Sequence, residues 1–155
     1  MDNSPMDRPL VLLGTDSEWT GRSLESVFDS NGYAVMLCRD GHRALELARR
    51  AAPDAVIVDE SLGEIGGLEI CRALRDDPSF DRATPIVVTT QAPAAKTALT
   101  AAYDAGAWDF CTQPIDVETL LLKLGTFIRA KRKSEVAQEG SRVDAARGLY
   151  RRAIS

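Results

Sequence analysis

The sequence predicts an α/β domain built on an open parallel sheet. Three observations carry that prediction. Five short, largely apolar runs recur along the chain. Each is followed by a stretch with apolar residues at helical spacing. The runs do not alternate apolar with polar, which is the pattern of strands covered on both faces. Strict alternation of the two element types implies right-handed crossovers between parallel strands.

The elements follow in order. Residues 10–14, LVLLG, read as the first strand. A helix over 18–31 places Leu24, Val27 and Phe28 on one face and stops at Asn31-Gly32. Residues 33–38 give the second strand, closed by Asp40-Gly41. The helix over 42–51 groups Ala44, Leu45 and Ala48, and Ala52-Pro53-Asp54 breaks it. AVIVD, 55–59, is the third strand. A Gly-containing loop, 61–67, leads to a helix over 68–76 carrying Ile70, Cys71 and Leu74. The fourth strand is 85–90, and an Ala-rich helix over 94–105 ends at Gly106. The fifth strand is 108–112. The last helix, 117–133, carries Val117, Leu120, Leu121, Leu124, Phe127 and Ile128 on one stripe. The domain therefore spans 10–133. Residues 1–9 read as a disordered leader and 134–155 as a basic linker and tail, its polar start containing Gly140.

Composition narrows the function. The 155 residues are 45 % hydrophobic and 27 % charged, which excludes a disordered or low-complexity chain. No run approaches ~18 apolar residues, so no membrane span is expected. MDNSPMDRP lacks a basic region followed by an apolar one, so export is not expected and the setting reads as cytoplasmic. Cys38, Cys71 and Cys111 form no CxxC pair, and His42 is the single histidine. Neither a zinc site nor a disulfide framework is suggested, and a histidine-based catalytic cluster is not expected. Residues 1–125 hold 11 Lys/Arg against 20 Asp/Glu, and residues 126–155 hold 8 against 3. The acidic body argues against nucleic acid as its partner, while the tail is basic.

In an open α/β sheet, ligands bind beyond the carboxyl ends of the strands. Those ends are polar here: Thr15-Asp16, Asp59, Thr89-Thr90 and Thr112-Gln113-Pro114. Paired carboxylates suit a hard cation such as Mg2+, which takes oxygen ligands and keeps several waters. A carboxylate beside a cation and a Thr hydroxyl is also suited to accept a phosphoryl group. A flavin or nucleotide enzyme is disfavoured: GTDSEWTGRS is not a hydroxyl-rich phosphate loop, and no GxGxxG occurs.

Residues 10–131 resemble the receiver domain of two-component response regulators. The resemblance rests on Pro53-Asp54 followed by Asp59, on Asp40-Gly41 with Ala44-Leu45, on Thr90, on Ala105-Gly106-Ala107 with Asp109-Phe110, and on Gln113-Pro114. It implies a flavodoxin-like fold with strand order 2-1-3-4-5 and a cis peptide before Pro114. It implies Asp59 as phosphoacceptor and Mg2+ at Asp16, Asp59 and the Ser61 carbonyl. Thr90 and Gln113 would bind the phosphoryl group, and Phe110 stands at the aromatic switch position. The family's signalling face comprises the fourth helix, fifth strand and last helix; the low charge of the Ala-rich fourth helix reads either as an apolar docking surface or as Ala simply favouring helix. The implied partners are a bacterial histidine kinase or phosphotransfer protein and a downstream protein. Self-phosphorylation and dephosphorylation would be its only chemistry.

The departures are specific. Thr15 replaces the first acid and Gln113 the lysine. Gly63 and Gly66 replace the Pro and Asp of the loop after the acceptor, and Trp108 stands where the family has a small or acidic residue. The lost acid acts mainly through bound water, and such outer groups change metal affinity by ~10–100-fold. Losing one acid and one lysine leaves the site's summed charge unchanged. Trp108 reads either as a filler of the strand edge or as an anchor on an interaction surface. The alternative function is a degenerate receiver that binds a protein partner regardless of phosphate. The tail, with Asp144, Gly148, Leu149, Tyr150 and Arg152, resembles the opening of a diguanylate cyclase domain. A homodimer stays open, although no heptad is sustained.

Overall fold

A computed structural model describes residues 8–91 and 96–154, with side chains for 8–91 and 98–135. The expected leader at 1–9 falls almost wholly outside the described residues, as do the side chains behind the cyclase-like tail. The strands are β1 (Leu10–Gly14), β2 (Ala34–Cys38), β3 (Ala55–Asp59), β4 (Ile86–Thr90) and β5 (Asp109–Thr112). The helices are α1 (Glu18–Ser30), α2 (Gly41–Ala51), α3 (Gly67–Asp76), α4 (Lys96–Asp104) and α5 (Val117–Ile154). All strand pairs are parallel, in the order β2-β1-β3-β4-β5.

The local signals act as their chemistry dictates. Ser17 caps α1 by accepting from the Thr20 N–H at 3.3 Å, and Asp40 caps α2 by accepting from His42 N–H at 2.9 Å. Ala52 ends α2 in a left-handed conformation, φ 47°, just before Pro53. The Gln113–Pro114 peptide is cis.

The sheet is buried on both faces, which explains its unbroken apolar strands. On one side Leu12, Val56, Val58, Ile86 and Val88 meet Ala44, Ala48, Ile70, Cys71 and Leu74 from α2 and α3. On the other, Val11, Leu13, Ile57 and Val87 meet Leu24 and Phe28 of α1 and Leu120, Leu124 and Ile128 of α5. Each fully buried large side chain contributes roughly 1.5–3 kcal/mol.

One element differs from the sequence expectation. Helix α5 runs unbroken through residues 134–141, where a linker was expected. Glu135, Ala137, Gln138 and Glu139 favour helix, no Pro interrupts, and a single Gly costs only about 1 kcal/mol. The helix is also tied to the body. Lys131 is 4 % exposed, its ammonium donating to the Pro53 carbonyl at 3.1 Å and pairing with Glu135 at 3.7 Å. The sequence showed this stretch only as basic and gave no sign of a buried lysine.

Candidate functional site: an acidic pocket at the carboxyl edge of the sheet

Asp59 ends β3 and is 6 % exposed. Parallel register sets its neighbours. Asp59 lies opposite Thr89 in β4, and Gly14 lies opposite Val58, so Thr15 follows β1 to the level of Asp59. The ladder extends past the strand ends: Glu60 N–H donates to the Thr89 carbonyl at 2.7 Å, and Gln113 N–H to the Thr90 carbonyl at 2.7 Å. Thr15 N–H reaches the Cys38 carbonyl at 3.0 Å. These backbone bonds fix the polar side chains that follow the apolar runs.

Three neutral donors converge on the Asp59 carboxylate. The Thr15 hydroxyl donates to Oδ2 and the Thr89 hydroxyl to Oδ1. Gln113 Nε2 donates to Oδ1 at 3.3 Å. Burial pushes the Asp59 carboxyl above its ordinary range and the nearby Asp16 carboxylate adds to the rise; the three donors oppose it without cancelling it.

Asp16, Asp59, Glu60, Ser61, Thr89, Thr90, Gln91 and Gln113 line a pocket of about 380 Å3 above the carboxylate. None of these lining residues is basic. The donors are oxygens and amides, which fits a hard cation rather than a soft one. Among the described residues, no three His, Cys, Asp or Glu side chains are grouped to hold a metal. A cation here would rest on two carboxylates, a backbone carbonyl and water, the sparse protein coordination Mg2+ accepts.

The structure brings Asp16, Asp59, Ser61, Thr90 and Gln113 to one pocket. Thr15 is more intimate than expected. It was read as a lost outer acid, yet it bonds Asp59 directly. Thr89 was passed over as a partner of Asp59 in favour of Thr90; its signal was the register that sets it beside Asp59. Thr90 is buried and lines the pocket. Phe110 is buried in the core on the α3 side of the sheet. Trp108 is half-buried and packs edge-on against Phe127 of α5, ring centres 5.3 Å apart. Gly66 has a packing reason: a Cβ there would collide with the Glu60 carbonyl. A side chain at Gly67 would come within 2.8 Å of the Asp59 carbonyl oxygen. The β3–α3 connection thus packs directly on the backbone of Asp59 and Glu60.

A buried aspartate at the central strand of a five-stranded parallel sheet, under an acidic pocket, defines the receiver class of signalling domains. The chain belongs to the response regulator receiver domain family, which it matches over residues 11–125. It is 34 % identical over 128 residues to the response regulator MprA of Mycobacterium leprae, covering 83 % of this chain and 54 % of that protein. It is 32 % identical to MprA of Mycobacterium tuberculosis, over 83 % and 54 %. The chain thus spans about half the length of these relatives. Among solved structures, the chemotaxis response regulator CheY4 of Vibrio cholerae is similar at TM-score 0.71 and 27 % identity, over 77 % of this chain and 98 % of that one. The BeF3-activated receiver domain of Klebsiella pneumoniae RstA matches in fold at TM-score 0.71 and 24 % identity, over 77 % and 98 %.

Proposed function

We propose that Asp59 accepts a phosphoryl group from a histidine kinase or phosphotransfer protein, and that the modified domain engages a downstream protein. The observation that carries this reading is the buried Asp59 carboxylate, held by three donors at the floor of an oxygen-lined pocket. Asp16, Asp59 and the Ser61 carbonyl would hold Mg2+, which when bound offsets the charge that a phosphoryl group brings. Gln113 and Thr90 would meet the phosphoryl oxygens. Gln113 offers a neutral bond in place of a charge-assisted one, roughly half as strong.

The added charge of about −1.5 to −2 would reorganise the surface through Thr90 and Phe110. The receiving surface lies along α4, β5 and α5, where Tyr103 is 49 % exposed and Trp108 rests on Phe127. The domain carries no catalytic cycle beyond accepting and losing this group, and it works in the cytoplasm.

Beryllofluoride, a phosphoryl mimic, tests the reading. With Mg2+ present, it should give a saturable change in Trp19 and Trp108 fluorescence. Asp59→Asn should abolish the change. A folded wild-type protein with no response at high Mg2+ would instead favour a phosphate-independent interaction module.

A further inference from the structure

A carboxylate offers about four lone-pair positions to donors, cations or an electrophile. In Asp59 three are taken: Thr89 and Gln113 on Oδ1, Thr15 on Oδ2. Among the described residues, one position remains, on Oδ2. The chemistry proposed above needs two, because a bond to phosphorus takes one and a cation on the carboxylate takes another. One donor has to leave.

We propose that Gln113 is the donor that leaves, and that Thr89, paired with Thr15, is a positioning residue that keeps the acceptor aimed. The proposal rests on Asp59 being the phosphoacceptor. Thr15 and Thr89 are each 1 % exposed, and their β-branched side chains are stiff at χ1. Thr89 sits opposite Asp59 in the β3–β4 register. Thr15 is held from both ends. Its hydroxyl accepts from Ser17 N–H at 3.2 Å, and its methyl lies so close to α1 that a Cβ on Gly21 would fall 3.2 Å away. Gln113 differs in each respect. It is half-exposed, its contact at 3.3 Å is the longest of the three, and its side chain turns about three torsions.

The step then balances. Gln113 Nε2 swings from Oδ1 to an oxygen of the incoming phosphoryl group. The freed lone pair on Oδ1 bonds to phosphorus as the bond from phosphorus to the donor's leaving atom breaks, and that atom keeps the pair. No proton moves to Asp59. Thr89 stays on Oδ1 and Thr15 on Oδ2, with the open Oδ2 position left for Mg2+.

The test follows phosphorylation by acetyl phosphate with Mg2+, read by intact mass across donor concentrations. Misplacing a reacting atom by about 1 Å costs up to about 100-fold, so Thr89→Val should lower the maximal rate about tenfold. Its half-saturation for acetyl phosphate should stay near the wild-type value. Thr89→Ser keeps the hydroxyl and should recover most of the rate. Gln113→Ala should weaken beryllofluoride binding, since the departing amide is then missing. A Thr89→Val protein that melts normally and reacts at the wild-type rate overturns the proposal. So does a Thr89→Ser protein that stays slow, which also covers the case in which the valine variant fails to fold. A wild-type protein that takes no phosphoryl group overturns the acceptor reading itself.

Discussion

Thr15, at the end of β1, donates its hydroxyl to Oδ2 of Asp59, at the end of the neighbouring β3. The residue standing where the family has an acid therefore acts on Asp59 as a neutral donor. Thr89 mirrors it from the other side of β3. Removing one negative charge from the pocket compensates for the missing lysine, and the hydroxyls satisfy a carboxylate that burial would otherwise leave short of partners.

Thr15→Asp puts a third carboxylate beside Asp59 and Asp16 with no lysine to balance it. Like charges at this range disfavour joint ionisation. The variant should melt several degrees lower than wild type in EDTA and regain part of that loss with Mg2+, because a ligand bound only to the folded state stabilises it. A melting temperature indifferent to Mg2+ would show that the position does not communicate with a cation.

The raised Asp59 carboxyl makes a pH prediction. Between the ordinary aspartate value and the raised one, the folded protein binds more protons than the unfolded chain. Stability therefore falls as pH rises through that window. Asp59→Asn removes the penalty and should raise the melting temperature at neutral pH. The gain should disappear as pH is lowered below the ordinary aspartate value.

Lys131 anchors the start of the α5 extension through the Pro53 carbonyl. Lys131→Ala leaves that carbonyl without its donor and removes the packed stem of the side chain. Urea denaturation should show a loss of about 1–3 kcal/mol. The exposed Lys133, changed in the same way, should lie within about 0.5 kcal/mol of wild type.

Gly106 has φ +99°, and a Cβ there would sit 2.5 Å from Arg75 Cγ. Arg75 joins three backbone carbonyls, those of Gly106, Arg82 and Thr84, at 2.9–3.1 Å. Gly106→Ala should cost about 1–3 kcal/mol from the backbone conformation alone, more where Arg75 is displaced. Denaturant titration reads the difference.

Burial pushes the thiols of Cys38, Cys71 and Cys111 up to about 11. Thiolates react and thiols do not, so a disulfide reagent at neutral pH should label the native protein slowly and the urea-unfolded protein at once.

Most of the fold was legible because its signals are local. AVIVD reads as a strand covered on both faces, and the structure gives β3 those same bounds, 55–59. Asp16, Asp59 and Gln113 were legible because they stand at or just past the polar ends of the strands. Thr89 was less so, because its role comes from register with β3, which a strand read in isolation does not reveal. Thr15 was read for the charge it lacks, when its hydroxyl is what touches Asp59. Lys131 was hidden for a similar reason: a basic stretch looks solvated until the fold turns one of its side chains onto the Pro53 carbonyl ahead of β3.

Asp59 is expected to accept a phosphoryl group despite Thr15 and Gln113. Incubation of the purified chain with acetyl phosphate and Mg2+, followed by intact mass and peptide mapping, tests it most directly. The expected result is a mass gain of one phosphoryl group, mapped to Asp59 and absent from Asp59→Asn. A wild-type protein that stays unmodified while folded, or that is modified equally in Asp59→Asn, would contradict it.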